Sequence, residues 1–296
     1  MIDVAVSLTE RRRGALRLPA NRWALLVLPA AAFLVVFFLV PLIEMSARSV
    51  TEPAGAGLSN YARFFEQEAY VRVLVNTFWI AMLTTAVCLL IGFPFAYLMT
   101  VAPVRIAGLL LIAVLLPFWS SALVRTFAWQ VLLRDTGIIN GMLLDLRLVS
   151  EPLPLIRTTA GVVIGMTHVL LPFMILPIWA VLRRIDPEYG RAAANLGASP
   201  ATAFRRIVLP LSLPGVLAGC LLVFVLALGF YITPALLGGP RDQMISQLIV
   251  EQVQRQLDWG FAAAMSVLLL GVTFAVLFAA SRFVRLSDVF ASAAEE

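Results

Sequence analysis

The side chains that do chemistry are few and scattered in this sequence. His168 is the one histidine, Cys88 and Cys220 are the two cysteines, and every basic residue is an arginine. The histidine and both cysteines lie inside long apolar runs. Two isolated thiols make neither a metal cluster nor a disulfide framework; they read as small packing residues. A lone histidine in such surroundings lacks the partners of a Ser–His–Asp relay. It reads as a hydrogen-bonding group that ties one helix to another, with a proton relay as the alternative. A phosphate-binding Gly-x-x-x-x-Gly-Lys loop needs a lysine that the sequence does not contain. The chain is therefore expected to hold no metal, no cofactor and no catalytic residue, and ATP, if the process uses it, to be bound by another chain.

What the sequence offers instead is binding chemistry. Phe118, Trp119, Trp129, Phe230 and Tyr231 are the aromatics in these apolar segments that could line a pathway. Aromatic faces attract ammonium groups in a low-dielectric path. For any one aromatic the plainer role is anchoring at the lipid interface, but Trp119 and Tyr231 each adjoin a helix break. Carboxylates are absent from the apolar interiors; Glu44 and Asp258 stand only at their ends. A cargo site is thus expected to be weak here, or to lie mainly on partners. Arg125 falls within an apolar segment, where an ionisable group marks either a pathway or a structural pair. Pro117, Pro172 and Pro234 are expected to break helices on a cavity side.

The elements that must position these residues are membrane helices. Hydrophobic residues make up 61% of the chain and charged residues 13%, about half the charge of a soluble domain. The fold class expected is all-α integral membrane, with six transmembrane helices in a membrane domain at 23–285. A polar segment at 1–22 precedes a first span at 23–43, too long an apolar run for a signal-peptide core. An outer connection at 44–73 carries a short interfacial helix at 60–72, with Tyr61, Phe64, Phe65 and Tyr70 toward the membrane. Further spans are expected at 74–99, 106–133 (interrupted at Pro117), 159–182, 213–237 (ended by Gly238, Gly239 and Pro240) and 261–283, with a tail at 286–296. Segments assigned to the inner side hold thirteen arginines against seven acids, and the outer side nine against ten. Positive charge inside places both termini and the 184–210 loop in the cytoplasm. The net charge of +5 follows this topology and is no signal for nucleic acid.

The 184–210 loop is the most polar stretch between two spans, and it reads as built structure. Asp186 can cap a helix whose first position is Pro187, and Glu188 suits the positive end of its dipole. Gly197 is placed to end that helix, and Ser199 with Pro200 to start a second. Two short helices with a bend between them suggest a surface that docks onto something in the aqueous phase. The loop resembles the cytoplasmic loop of ABC importer permeases, which reads Glu-Ala-Ala, three residues, Gly, nine residues, Ile, one residue, Leu-Pro. Ala192, Ala193, Gly197, Ile207, Leu209 and Pro210 match at that spacing; Arg191 stands where the family has Glu. The resemblance implies that Glu188, Arg191, Ala192, Ala193, Gly197, Ala198, Ser199 and Pro200 form a coupling surface for an ATPase subunit.

A narrower likeness covers most of 25–285. The stretches at 116–121, 124–129 and 137–140, together with 170–174, 214–220, 230–231 and 237–239, are similar to the first permease of spermidine/putrescine-type importers. This implies a pore shared with a second permease, an ABC ATPase dimer, a periplasmic substrate-binding protein, and a polyamine or related small amine as cargo in the bacterial inner membrane. A zwitterionic or anionic cargo, such as an aminophosphonate or opine, is the alternative that Arg125 would suit. An ATP-independent secondary transporter is the rival class; the loop spacing and the lack of charged relays within the spans stand against it.

Overall fold

The structure, a computed structural model, describes residues 20–53, 55 and 57–292. Most of the arginine-rich segment expected at 1–22, and the last four residues of the expected tail, lie outside that range. Among the described residues, five helices are long and apolar enough to cross a membrane, or six when a bent pair counts as one span. They are Val27–Thr51, Glu68–Val101, the pair Val104–Trp119 and Ala122–Leu132, Thr159–Leu182, Pro200–Leu228 and Trp259–Ala279, called below the first to sixth spans.

The fourth span is the spine. Val162, Met166, Leu170, Met174, Ile178 and Leu182 recur every four residues and are all buried. A row at that spacing is a ridge running along one side of a helix. The second span answers with Ile80, Thr84, Cys88, Gly92 and Ala96, and the fifth with Gly215, Gly219, Val223 and Ala227, buried at the same spacing. Bulky residues on the central ridge thus meet small ones on both sides. A Cβ added at Gly219 would stand 2.9 Å from Met174 Sδ, and one at Gly215 would stand 2.9 Å from the Pro177 carbonyl oxygen. Lipid tails give helices no hydrophobic reason to associate, so close approach through small residues supplies the packing instead. Cys88 is part of this ridge, as its packing role requires.

A second, smaller core joins the start of the second span to the sixth. Phe64 stacks on Tyr70 at 6.0 Å, and Tyr70 meets Phe261 at 5.1 Å. Phe64 and Phe261 are both fully buried. The expectation that Phe64 faces the membrane is therefore corrected: the ring is core, while its neighbour Phe65 is exposed.

Several boundaries also differ from expectation. The first span does not end at 43; it continues to Thr51 because Glu44, Arg48 and Glu52 form an i,i+4 ladder of ion pairs along its polar end. It passes Pro41 by way of a π-helical turn, Val35–Leu39, which accommodates the hydrogen bond that proline cannot donate. The interfacial helix is Ser59–Glu66, and the second span begins at Glu68 rather than 74. The second helix of the 184–210 loop is not separate. Pro200–Ala203 runs through a π turn, Phe204–Val208, into the fifth span. That span stops at Leu228 rather than 237, and a short helix, Ile232–Leu237, follows the break. The sixth helix continues to Ser292, past the expected end at 283.

Candidate functional site

Two places combine exposed side chains with built backbone. One is the cluster of broken outer ends of the third and fifth spans; the other is the 184–210 loop.

The third span turns by 101° between Val104–Trp119 and Ala122–Leu132. Its corner is the single 3-10 turn Leu116–Trp119, which begins where Pro117 ends the α-helical ladder. The fifth span breaks at Gly229, Phe230 and Tyr231, just ahead of Pro234. A proline cannot bond the carbonyl four residues back, and for Pro234 that carbonyl is Phe230's. It is taken instead by the Ser246 hydroxyl at 2.6 Å. The two short helices beyond the breaks lie together, joined by the Thr126 and Thr233 hydroxyls at 3.2 Å. Irregular backbone at membrane depth is tolerated where protein satisfies it, and here protein does.

The aromatic candidates divide at this cluster. Trp129 is half-buried, and its indole N–H donates to His168 Nδ1 at 3.1 Å. This bond joins the fourth span to the outer part of the third, and an Nδ1 that accepts leaves the ring proton on Nε2. Phe118 packs edge-on against Phe173 at 5.3 Å, and Phe230 is packed against the main core. Trp119 remains 81% exposed and Tyr231 39% exposed, each at its break. Behind the corner of the third span lies a cavity of ≈ 200 Å³ lined by Pro117, His168 and Pro172 among apolar neighbours. Pro234 is buried and stands apart from that lining. Arg125 has its Nε sealed from solvent without an acceptor.

Sequence reasoning passed over the polar residues that hold the outer segments. Asn76 donates to the carbonyls of Arg241 and Gln243, both at 3.0 Å, and the Thr77 hydroxyl accepts from Ile245 N at 2.8 Å. Asp242 is buried and takes the Thr159 hydroxyl and Gly239 N–H. Asp258 pairs with Arg63 at 2.7 Å and caps the sixth span through Phe261 N. The sequence signal was the adjacent Asn76 and Thr77 at the mouth of an apolar run.

The 184–210 loop carries its caps as expected. Asp186 Oδ1 accepts from Glu188 N at 2.8 Å, and Ser199 Oγ from Thr202 N at 3.3 Å. The helix Pro187–Asn195 ends in a Schellman turn: Ala198 N–H donates to the Ala193 carbonyl and Gly197 N–H to that of Ala194, both at 2.9 Å. Gly197 adopts φ +82, the left-handed region where an L side chain is strained. Arg191 pairs with Glu188 at 2.7 Å. This helix buries none of its residues; Tyr189 within it and Leu196 at its end are exposed. Ala192 and Ala193 lie on its exposed body.

In three dimensions the chain matches one from the crystal structure of a bacterial ABC transporter involved in the import of the acidic polysaccharide alginate. The TM-score is 0.69 at 20% identity, over 90% of this chain and 96% of that one. The fold is thus the all-helical membrane fold found in that ABC transporter. In sequence, the chain is 35% identical over 243 residues to the spermidine/putrescine transport system permease protein PotB of Haemophilus influenzae, covering 80% of this chain and 85% of that protein. It is 36% identical over 228 residues to PotB of Escherichia coli K12, covering 76% and 82%. No protein-family model matches the chain. The chain belongs to the family of PotB-type permease proteins of ABC transport systems.

Proposed function

We propose that this chain is one permease of an ATP-driven importer that moves a polyamine, of the spermidine or putrescine kind, across a bacterial inner membrane. Its partners are a second permease, an ABC ATPase dimer that binds ATP and Mg, and a periplasmic substrate-binding protein; ATP hydrolysis belongs to the ATPase. Both termini and the 184–210 loop face the cytoplasm. When the ATPases close, the loop moves with them, and the two permeases alternate access by rigid-body gating.

The observation that carries this reading is the loop. Its helix is capped at both ends, buries nothing in its own chain, and holds Tyr189 and Leu196 toward solvent. Its second helix is continuous with the fifth span, so a push on the loop reaches the broken outer end without a flexible joint. Polyamine cargo is supported by the relatives' printed activity and by aromatic faces at the breaks rather than by any carboxylate.

The test is affinity purification of the wild-type chain, followed by ATP-driven uptake in vesicles. A co-purifying ATPase chain and polyamine uptake are expected; uptake without any ATPase would sink the reading in favour of a secondary transporter. Gly197→Asp adds a charge and left-handed strain of about 1 kcal/mol at the bend. The variant is expected to insert normally but to lose most ATPase association and uptake. Normal coupling in that variant removes the loop from the mechanism.

A further inference from the structure

We infer that Arg125 forms one half of an ion pair between the two permeases, its guanidinium closing on a carboxylate carried by a membrane span of the second permease. The inference rests on the two-permease reading above.

Arg125 lies in Ala122–Leu132, the helix beyond the corner of the third span. Its backbone N–H is satisfied by Ser121. Its side chain makes no hydrogen bond and no ion pair among the described residues, and its Nε is sealed from solvent without an acceptor. The arginines that this chain intends to neutralise look different: Arg63 holds Asp258, Arg48 holds Glu44, and Arg191 holds Glu188, each within 2.8 Å. Two acids of the outer connections are committed elsewhere, Asp258 to Arg63 and Asp242 to Thr159 and Gly239. Trp129, one turn on, spends its N–H on His168. No acid among the described residues pairs with Arg125.

A guanidinium is a donor-only fork whose geometry matches a carboxylate. A charge in an apolar segment without a counter-ion is costly enough that such residues face a bundle interior or pair with one another. The cargo cannot complete the site, since an ammonium group offers no acceptor and repels the arginine. The same helix exposes Leu123, Val124, Phe127 and Val131, an apolar surface that another span would cover. Charge complementarity then selects the occupant: a protein span bearing an acid, where lipid tails would leave the guanidinium unpaired. Because this helix is bonded to the broken end of the fifth span through Thr126 and Thr233, the pair would latch the outer ends of the two permeases together.

The experiment uses the whole importer. Arg125→Gln, Arg125→Lys and Arg125→Glu are compared for the amount of chain in the membrane, for co-purification of the second permease and for uptake. Arg125→Glu is then combined, one at a time, with Arg at each membrane-embedded Asp or Glu of the second permease. Arg125→Gln is expected to lose at least tenfold in uptake with a weakened permease–permease association, and Arg125→Lys to keep most of both. One charge-swapped combination is expected to restore what Arg125→Glu removes, even if the single variants accumulate poorly. If no combination restores it, the pairing is wrong. Unchanged association and uptake in Arg125→Gln, or altered cargo selectivity in that variant, also overturns it. Failure of the wild-type chain to bring down any second permease would strike the importer reading itself; a normal wild-type complex with no rescue strikes only the ion pair.

Discussion

Trp119 and Tyr231 stand where the hydrogen-bond ladders of two spans are interrupted, and both are exposed there. Trp129, Phe118 and Phe230 have partners that hold them: His168, Phe173 and the main core. An ammonium group over an aromatic face gains about 0.5–2 kcal/mol, depending on desolvation. Since 1.4 kcal/mol is tenfold, Trp119→Ala and Tyr231→Ala are each expected to lower polyamine uptake by up to roughly thirtyfold without total loss. The measurement is uptake normalised to folded protein in the membrane; wild-type rates in both variants would remove the aromatics from the pathway. The sequence could point to these two because each sits beside a proline or glycine signal. It could also point to His168 as a tie between helices, since a buried polar ring needs a partner. It could not say that the partner is Trp129, thirty-nine residues away, nor that Asn76, Thr77 and Asp242 stitch the outer segments. Those contacts arise from the fold and leave no local periodicity behind.

Spans were readable because their hydropathy is continuous, and their ends were misjudged for definite reasons. The first span gains its extra turns from the Glu44, Arg48 and Glu52 ladder, which in sequence looks like a polar connection. The break in the fifth span falls at 229–231, ahead of the louder signal from Gly238, Gly239 and Pro240, because Pro234 frees the Phe230 carbonyl and Ser246 captures it. The four-residue ridges on the second, fourth and fifth spans explain why three helices approach so closely, with glycines and alanines on two of them meeting methionine, leucine and isoleucine on the third. Gly219→Leu drives a side chain into Met174, whose Sδ already stands 2.9 Å from the added Cβ position. Overpacking of this kind costs about 1–3 kcal/mol. The variant is expected to unfold at lower temperature in detergent than wild type, whereas Gly271→Leu, where an added Cβ meets nothing within 4 Å, is expected to match it. Equal loss at both sites would mean that the ridge is not what holds the spans.

At the scale of the whole molecule, the arginines give the chain a direction. The six-span path puts the 184–210 loop at one end and the connections at 52–67, 133–158 and 229–258 at the other. The sequence assigns thirteen arginines against seven acids to the loop side and nine against ten to the other, and from that bias we predict that the loop faces the cytoplasm. Single cysteines read this out with a membrane-impermeant thiol reagent, in a background where Cys88 and Cys220 are replaced by alanine. Position 191 is suitable because its side chain is 69% exposed, and position 255 because its side chain is 80% exposed. Position 135 is an exposed turn residue and is preferable to Gly137, where an added Cβ would stand 2.4 Å from the Leu132 carbonyl oxygen. In intact cells, Asp135→Cys and Arg255→Cys are expected to label, and Arg191→Cys only after the membrane is opened. Labelling of position 191 from outside would reverse the whole chain in the bilayer. The loop would then face away from ATP, and its caps, its Schellman turn and its exposed Leu196 would need some partner other than an ATPase.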